Sequence, residues 1–339
     1  MRILILLATT LLFNACEVGH AENDATMNKA DYAIVIHGGA GTILKENMTE
    51  EMDKAYREAL NQALDVGEDI LKNGGSSIDA VEKTIHFLEN SPLFNAGVGA
   101  VFTNDEKNEL DASIMNGADQ NAGAVGGLTN IKHPISAARA VMEHSAHVLL
   151  TGKGAEQFST EQGLEVVDPS YFYTERRWKA LQRAKQDERI ELSESDESEE
   201  RKMGTVGCVA LDRSGNIVAG TSTGGMTNKR YNRFGDVPII GAGTYADNST
   251  CGVSCTGHGE FFIRYAVAHD VHARIKYLNE PLAKAADHVI NKLLVEKGGS
   301  GGLVSLDAMG NVSMPFNSKG MYRGYAKPGE RVVAIYDNE

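Results

Sequence analysis

The apolar positions come in short blocks whose spacing changes along the chain. Ala33-Ile34-Val35-Ile36 is an unbroken apolar run, which predicts a buried strand entering the turn His37-Gly38-Gly39-Ala40-Gly41. Residues 49–72 take helical spacing: Thr49 can cap, Glu50 and Glu51 suit the first turn, and Gly74-Gly75 ends the run. Ser77 is placed as the cap of a second helix, with Ile78, Val81, Ile85 and Leu88 on one face. Residues 90–99 read as a loop, 110–115 as a strand, Pro134 to Val141 as a helix, and 147–150 as a strand. From 185 to 203 the pattern stops. Glu191-Leu192-Ser193-Glu194-Ser195-Asp196-Glu197-Ser198-Glu199-Glu200 is acidic and nearly without apolar residues, the composition of a disordered linker.

Beyond it the reading is strand, helix, strand. Residues 205–211 and 216–223 are strands joined by the turn Asp212-Arg213-Ser214-Gly215. Further strands are expected over 240–247, 251–256, 303–307, 311–315 and 331–336, and helices over 261–278 and 282–297. Val206, Val209 and Leu211 fall on both faces of their strand, so the sheet is expected to be covered on both sides.

The first 21 residues read as an export signal. Arg2 gives the positive end, residues 3–13 an apolar run too short to span a bilayer, and Gly19-His20-Ala21 the small residues before a cut. The expected product is periplasmic or secreted. Phe13-Asn14-Ala15-Cys16 offers the alternative of lipid attachment at Cys16.

Composition narrows the class. The chain has 339 residues, 42% hydrophobic and 23% charged, which suits a soluble globular protein with no membrane span. A net charge of −13 argues against a nucleic-acid partner. Cys16, Cys208, Cys251 and Cys255 show no zinc spacing, and an extended strand would hold Cys251 and Cys255 too far apart to bridge. Free, buried cysteines are expected.

The candidate chemistry centres on the Gly204–Thr205 junction, where the charge run meets the strand. A threonine opening a strand is ordinary. Cutting the bond before it changes its chemistry, because Thr205 then has a hydroxyl nucleophile and a free α-amine to serve as base. That amine has an unperturbed pKa of about 7.7–8.0, so part of it is neutral near pH 7. Three polar clusters follow, at residues 220–229, at Arg233-Phe234-Gly235-Asp236, and at Ser254-Cys255-Thr256-Gly257-His258-Gly259-Glu260. His37 reads more readily as a satisfied core histidine than as a catalyst.

With these residues in place the sequence resembles the plant-type asparaginases, or isoaspartyl (β-aspartyl) peptidases, of the N-terminal nucleophile hydrolases. The resemblance runs from about Tyr32 to the end and rests on several motifs: His37-Gly38-Gly39-Ala40-Gly41, Phe94-Asn95-Ala96-Gly97-Val98-Gly99, Gly204-Thr205-Val206-Gly207, Thr221-Ser222-Thr223-Gly224-Gly225 and Arg233-x-Gly-Asp236. It implies an α/β fold, a four-layer αββα sandwich. One precursor cuts itself into an α subunit (22–204) and a β subunit (205–339), which pair into a dimer of heterodimers. By matching position, Thr205 is the nucleophile and Thr223 steadies it. Thr256 and the Gly257 N–H form the oxyanion hole. Arg233 holds the substrate α-carboxylate, bidentately where geometry allows, and Asp236 and the Gly259 carbonyl take its ammonium. No cofactor is implied for catalysis. A structural sodium is implied, on backbone oxygens of Leu88, Glu89, Ser91, Phe94, Ala96 and Val98.

Two positions depart from the family pattern. Tyr231-Asn232 stand where Pro-Gly is common before the arginine, and His258 lies in the oxyanion loop, facing either solvent or the leaving group. The expected activity is hydrolysis of β-aspartyl dipeptides, with release of aspartate and ammonia from L-asparagine. Glycosylasparaginase is the alternative enzyme, and an unprocessed binding protein the alternative class.

Overall fold

A computed structural model describes residues 29–191, 204–337 and 339. The export-signal reading and Cys16 lie outside them, as does the linker reading over residues 192–203. The strands are β1 (Ala33–Gly41), β2 (Leu110–Asn116), β3 (Ala122–Leu128), β4 (Leu149–Thr151), β5 (Val206–Leu211), β6 (Ile217–Thr223), β7 (Thr244–Ala246), β8 (Cys251–Gly257), β9 (Gly301–Asp307), β10 (Val312–Ser313), β11 (Gly320–Lys327) and β12 (Glu330–Ala334). The main helices are α1 (Glu50–Lys72), α2 (Ser77–Glu89), α3 (Pro134–His144), α4 (Gly152–Glu161), α5 (Glu175–Glu191), α6 (Gly259–Arg264), α7 (Val267–Leu278) and α8 (Leu282–Asp287). The last continues as a π-helical stretch, His288–Leu294, and a final turn, Val295–Lys297.

Eight strands form one sheet in the order β12-β11-β1-β5-β6-β2-β3-β4, and four form another, β10-β9-β8-β7. The period of two along each strand sorts its side chains into layers. On β5, Val206, Cys208 and Ala210 join a core shared with α1, α2 and α3, while Val209 and Leu211 join a second core with Val304 and Leu306 of the other sheet. Cys251, Val253 and Cys255 of β8 face outward onto Phe262, Val267 and Val271 of α6 and α7. The layers are therefore helix, sheet, sheet, helix: the αββα sandwich. Both faces of β5 are covered, which explains its lack of polar alternation.

Thr49 caps α1, accepting from the Met52 N–H at 3.2 Å. Ser76, not Ser77, caps α2; its hydroxyl accepts from Asp79 N at 3.2 Å, and Ser77 is buried against Asp212. Three expected elements change. Helix α5 runs on to Glu191, past the expected start of the linker at Lys185, because charged partners on the neighbouring loops hold it: Lys185 pairs with Glu106 and Glu188 with Arg230. The helix expected over 261–278 breaks between α6 and α7, where Ala266 takes the left-handed conformation (φ 46°). Strand β7 covers only Thr244–Ala246, and the backbone before it turns through Gly241 (φ 90°). Cys208, Cys251 and Cys255 are free and buried, as read from the sequence.

Candidate active site

Strand parity places the site between the sheets. Thr205 lies on the same side of β5 as Val209, and Thr221 and Thr223 on the matching side of β6. The hairpin register pairs Val206 with Ser222, so Thr205 meets Thr223 across the strands. Ser254 and Thr256 of β8 face them, since the alternate residues Cys251, Val253 and Cys255 point to the outer helices.

Thr205 is buried, at 6% exposure. Its Oγ1 lies 2.7 Å from the Gly204 carbonyl oxygen and 3.2 Å from Thr223 Oγ1. That carbonyl oxygen also accepts from two other donors, Asn95 Nδ2 at 2.8 Å and Thr223 Oγ1 at 3.0 Å. Two donors at these distances suit an oxygen that gains negative charge when its carbon is attacked. The side chain of Asn95 is fixed from both ends: Nδ2 also donates to Gly225 O at 2.7 Å, and Oδ1 accepts from Val101 N at 2.9 Å. Sequence reading quoted Asn95 within a loop motif but gave it no role.

A second oxygen-binding position sits at Thr256. Its buried hydroxyl accepts from the Ala40 N–H at 3.2 Å, which leaves its proton free to donate, and Gly257 follows at φ 151°. Behind the nucleophile a chain of buried groups ties the sheets together. His37 Nε2 meets Ser254 Oγ at 3.0 Å, Ser254 Oγ meets Thr221 Oγ1 at 2.7 Å, and Thr221 Oγ1 meets Thr244 Oγ1 at 2.5 Å. Ser113 continues it from Thr244, at 2.8 Å, to the carbonyl of Val237, beside Asp236, at 2.6 Å. Burial pulls His37 down to about 3, so the ring is neutral; it is a core histidine as read, but only half satisfied, since Nδ1 has no hydrogen-bond partner among the described residues. Only glycine fits at 207 beneath it, because a Cβ there would lie 2.0 Å from Ser254 Oγ and 2.2 Å from His37 Nε2.

The charged end of the site gathers on the loop before β7 and the start of α6. Gly259 packs against it; a Cβ there would lie 2.9 Å from Arg233 Nη2 and 3.0 Å from Asp236 N. Asp236 is buried, and among the described residues its Oδ2 has no hydrogen-bond partner, so it can accept from a ligand. Burial pushes its carboxyl up to about 7, and Arg233 pulls the other way. The fork of Arg233 is engaged: Nε and Nη2 each donate to a Glu260 oxygen at 2.9 Å. The bidentate partner is thus Glu260, which leaves Nη1 for a ligand unless Glu260 gives way. Glu260 appeared in the third cluster without a role. His258 is half-exposed, with Nε2 3.3 Å from Glu260 Oε2, so it belongs to this charged rim. Where Pro-Gly was expected, Tyr231 (φ 58°) and Asn232 (φ 53°) adopt left-handed backbone, which asparagine tolerates better than most residues. Phe234 packs on Gly126, where a Cβ would lie 2.7 Å from its ring.

The loop after α2 bears on the implied sodium. A Cβ on Gly99 would lie 1.9 Å from the Phe94 carbonyl oxygen and 3.0 Å from that of Ser91, and one on Gly97 would lie 2.2 Å from that of Glu89. Only glycine fits at these two positions, where the chain passes close to carbonyl oxygens of the same segment.

A family model described as asparaginase matches residues 30–335. The chain is 47% identical over 306 residues to a Salmonella typhimurium protein named isoaspartyl peptidase, a match covering 90% of this chain and 97% of that one. It is also 47% identical over 306 residues to the Escherichia coli isoaspartyl peptidase, covering 90% of this chain and 95% of the other. It is 43% identical over 304 residues to a plant-type L-asparaginase of Pyrococcus horikoshii, covering 88% and 97%.

Proposed function

Since the chain belongs to the asparaginase family, we propose that it is an isoaspartyl peptidase and L-asparaginase that exposes its own threonine nucleophile by cutting the Gly204–Thr205 bond. The observation that carries this reading is the Gly204 carbonyl, held by Asn95 and Thr223 with the Thr205 hydroxyl 2.7 Å from its oxygen. Attack by Oγ1 on the Gly204 carbon forms a C–O bond; the C–N bond then breaks, the Thr205 nitrogen takes up the Oγ1 proton as a free amine, and Gly204 is left as an ester on Oγ1. Water splits that ester into a Gly204 carboxylate and the regenerated Thr205 hydroxyl.

In the cut enzyme the amine takes the proton from Oγ1 as this oxygen attacks the β-carbonyl of the substrate. Thr256 and the Gly257 N–H receive the oxyanion. The Thr205 ammonium passes its proton to the departing amine, and water enters to release aspartate. Arg233 and Asp236 hold the zwitterionic head group, with the Gly259 carbonyl beside Asp236.

Two experiments test the head-group assignment. Arg233→Ala is expected to raise KM about 10- to 100-fold, the size of a hydrogen bond to a charged group, with a smaller change in kcat. Initial rates on β-aspartyl-leucine measure it, and an unaltered KM removes Arg233 from the substrate. The pH profile is the second. Asp236 titrates near 7 in the free protein and must be ionised to take an ammonium. The Thr205 amine, at about 7.7–8.0 unperturbed, must be neutral. Both requirements fail as pH falls, so log kcat/KM is expected to climb with a slope approaching 2 below about pH 7, since this ratio reports the free enzyme. A profile that is flat between about pH 5 and pH 8 contradicts both assignments.

The same reading extends to the assembly. Residues 22–204 and 205–339 act as α and β subunits that pair again into a dimer of heterodimers. Arg2, the apolar residues 3–13 and Gly19-His20-Ala21 support export to the periplasm or beyond. The carbonyls of Glu89, Ser91 and Phe94, with those of Leu88, Ala96 and Val98, would hold a sodium ion that braces the loop carrying Asn95. Such an ion would supply positive charge to those carbonyls.

A further inference from the structure

Beside the Gly204–Thr205 bond lies a cavity of about 660 Å³. Its lining includes Gly204, Asn95 and the turn at residues 38–42, with Leu93, Phe94 and Tyr322 supplying apolar surface. Arg176 and Arg177, at the start of α5, line it as well. The turn belongs to the oxyanion side as well, because Ala40 binds Thr256. Arg233, Asp236 and Gly259 are absent from the lining, so a group seated in this cavity does not compete with the substrate head group.

The two arginines are unusual in their partners. Arg176 Nη2 donates to the Tyr56 hydroxyl at 3.0 Å, and Arg177 Nε to the Gly99 carbonyl at 2.7 Å. Both partners are neutral, and among the described residues neither arginine forms an ion pair with a carboxylate. Burial and the neighbouring Arg176 charge pull Arg177 down to about 10. Arg177 is partly buried and feels the like charge of the exposed Arg176, so an anion beside the pair offsets that repulsion. The planar fork of arginine matches a carboxylate in particular.

We propose that Arg176 and Arg177 bind the free carboxylate of the leaving half of a β-aspartyl dipeptide, with Leu93, Phe94 and Tyr322 beside its side chain. This rests on the reading of Thr205 as the nucleophile of a β-aspartyl hydrolase. The leaving half of such a dipeptide is a whole amino acid. It carries a carboxylate for the arginines and a side chain for Leu93, Phe94 and Tyr322. Asparagine has neither, since its leaving group is ammonia.

The experiment compares kcat/KM for β-aspartyl-leucine, its C-terminal amide and L-asparagine. It uses the purified enzyme and Arg176→Gln, with rates normalised to cut chain by intact mass. The wild type is expected to prefer the acid over the amide by about 10-fold or more, the scale of one charge-assisted contact. Arg176→Gln is expected to shrink that preference about 10-fold, chiefly through KM, and to lower the ratio of dipeptide to asparagine hydrolysis. The comparison of acid with amide needs no variant, so it stands even if Arg176→Gln does not fold. Equal rates on acid and amide in the wild type overturn the arginine assignment while leaving the hydrolase reading intact. So does an equal loss on all three substrates in Arg176→Gln. That pattern would also place the arginines on the new Gly204 carboxylate instead. A wild type inert on all three overturns the hydrolase reading, and this inference with it.

Discussion

Thr205→Ala is expected to purify as one uncut chain without detectable hydrolysis of β-aspartyl-leucine or asparagine. Thr205 is asked to do three things: attack Gly204, attack substrate, and supply the amine base. Alanine removes the first two, and the uncut bond withholds the third. No neighbour can replace it, because among the described residues the groups hydrogen-bonded to Oγ1 are the Thr223 hydroxyl and the Gly204 carbonyl, and neither is a base near neutral pH. The fold should tolerate the change, since the lost atoms are few and β5 is held on both sides by its ladders. Thr205→Ser keeps the hydroxyl but loses the methyl that restricts its rotamer, so slow cutting and partial activity are expected. Gel mobility and a coupled ammonia assay follow both variants.

The second large effect is at Asn95. Asn95→Ala is expected to slow the cutting of Gly204–Thr205 by about 10²–10³-fold, the usual cost of deleting one donor to a developing oxyanion. The geometry points to the cutting step more than to turnover, because Nδ2 donates to the Gly204 oxygen, while the substrate oxyanion is assigned to Thr256 and Gly257. Some stability loss is expected too, since Val101 N and Gly225 O lose their partner. A time course of intact mass after expression, with a melting curve to confirm folding, measures it. Cutting at the wild-type rate in a folded Asn95→Ala protein would show that this carbonyl contact has no part in the reaction.

Much of this site was legible because its motifs match the family pattern, and the roles of Thr205, Thr223 and Thr256 came with that resemblance. The fold supplies their physical reason: the β5–β6 register sets Thr205 opposite Thr223, and the period of two along β8 turns Thr256 toward them. The roles of Asn95 and Glu260 depend instead on partners far along the chain: Asn95 bonds a carbonyl 109 residues away, and Glu260 reaches back 27 residues to Arg233. No periodicity carries such pairings. Two strands were missed for compositional reasons. The β3 sequence Ala-Gly-Ala-Val-Gly-Gly-Leu has too little side chain to look like a strand, and its glycines serve close packing: a Cβ on Gly123 would lie 2.0 Å from the Ala138 carbonyl of α3. In β11, Tyr322, Arg323 and Tyr325 mix polar and apolar groups, and Arg323 is buried by donating to the carbonyl of Tyr336. Helix α5 was not read from the sequence, and its last turns fell in the expected linker, because its charged residues leave little apolar periodicity; its ion pairs to neighbouring loops show what holds it.

The central claim is that the working enzyme has Thr205 as an N-terminus. Intact-mass spectrometry with N-terminal sequencing of the active wild-type protein tests it most directly. The account predicts two fragments, the smaller beginning Thr205-Val206-Gly207-Cys208 and ending at Glu339. Full activity in a single uncut chain, with Thr205 never exposed, would contradict it, because the amine assigned as the base would not exist.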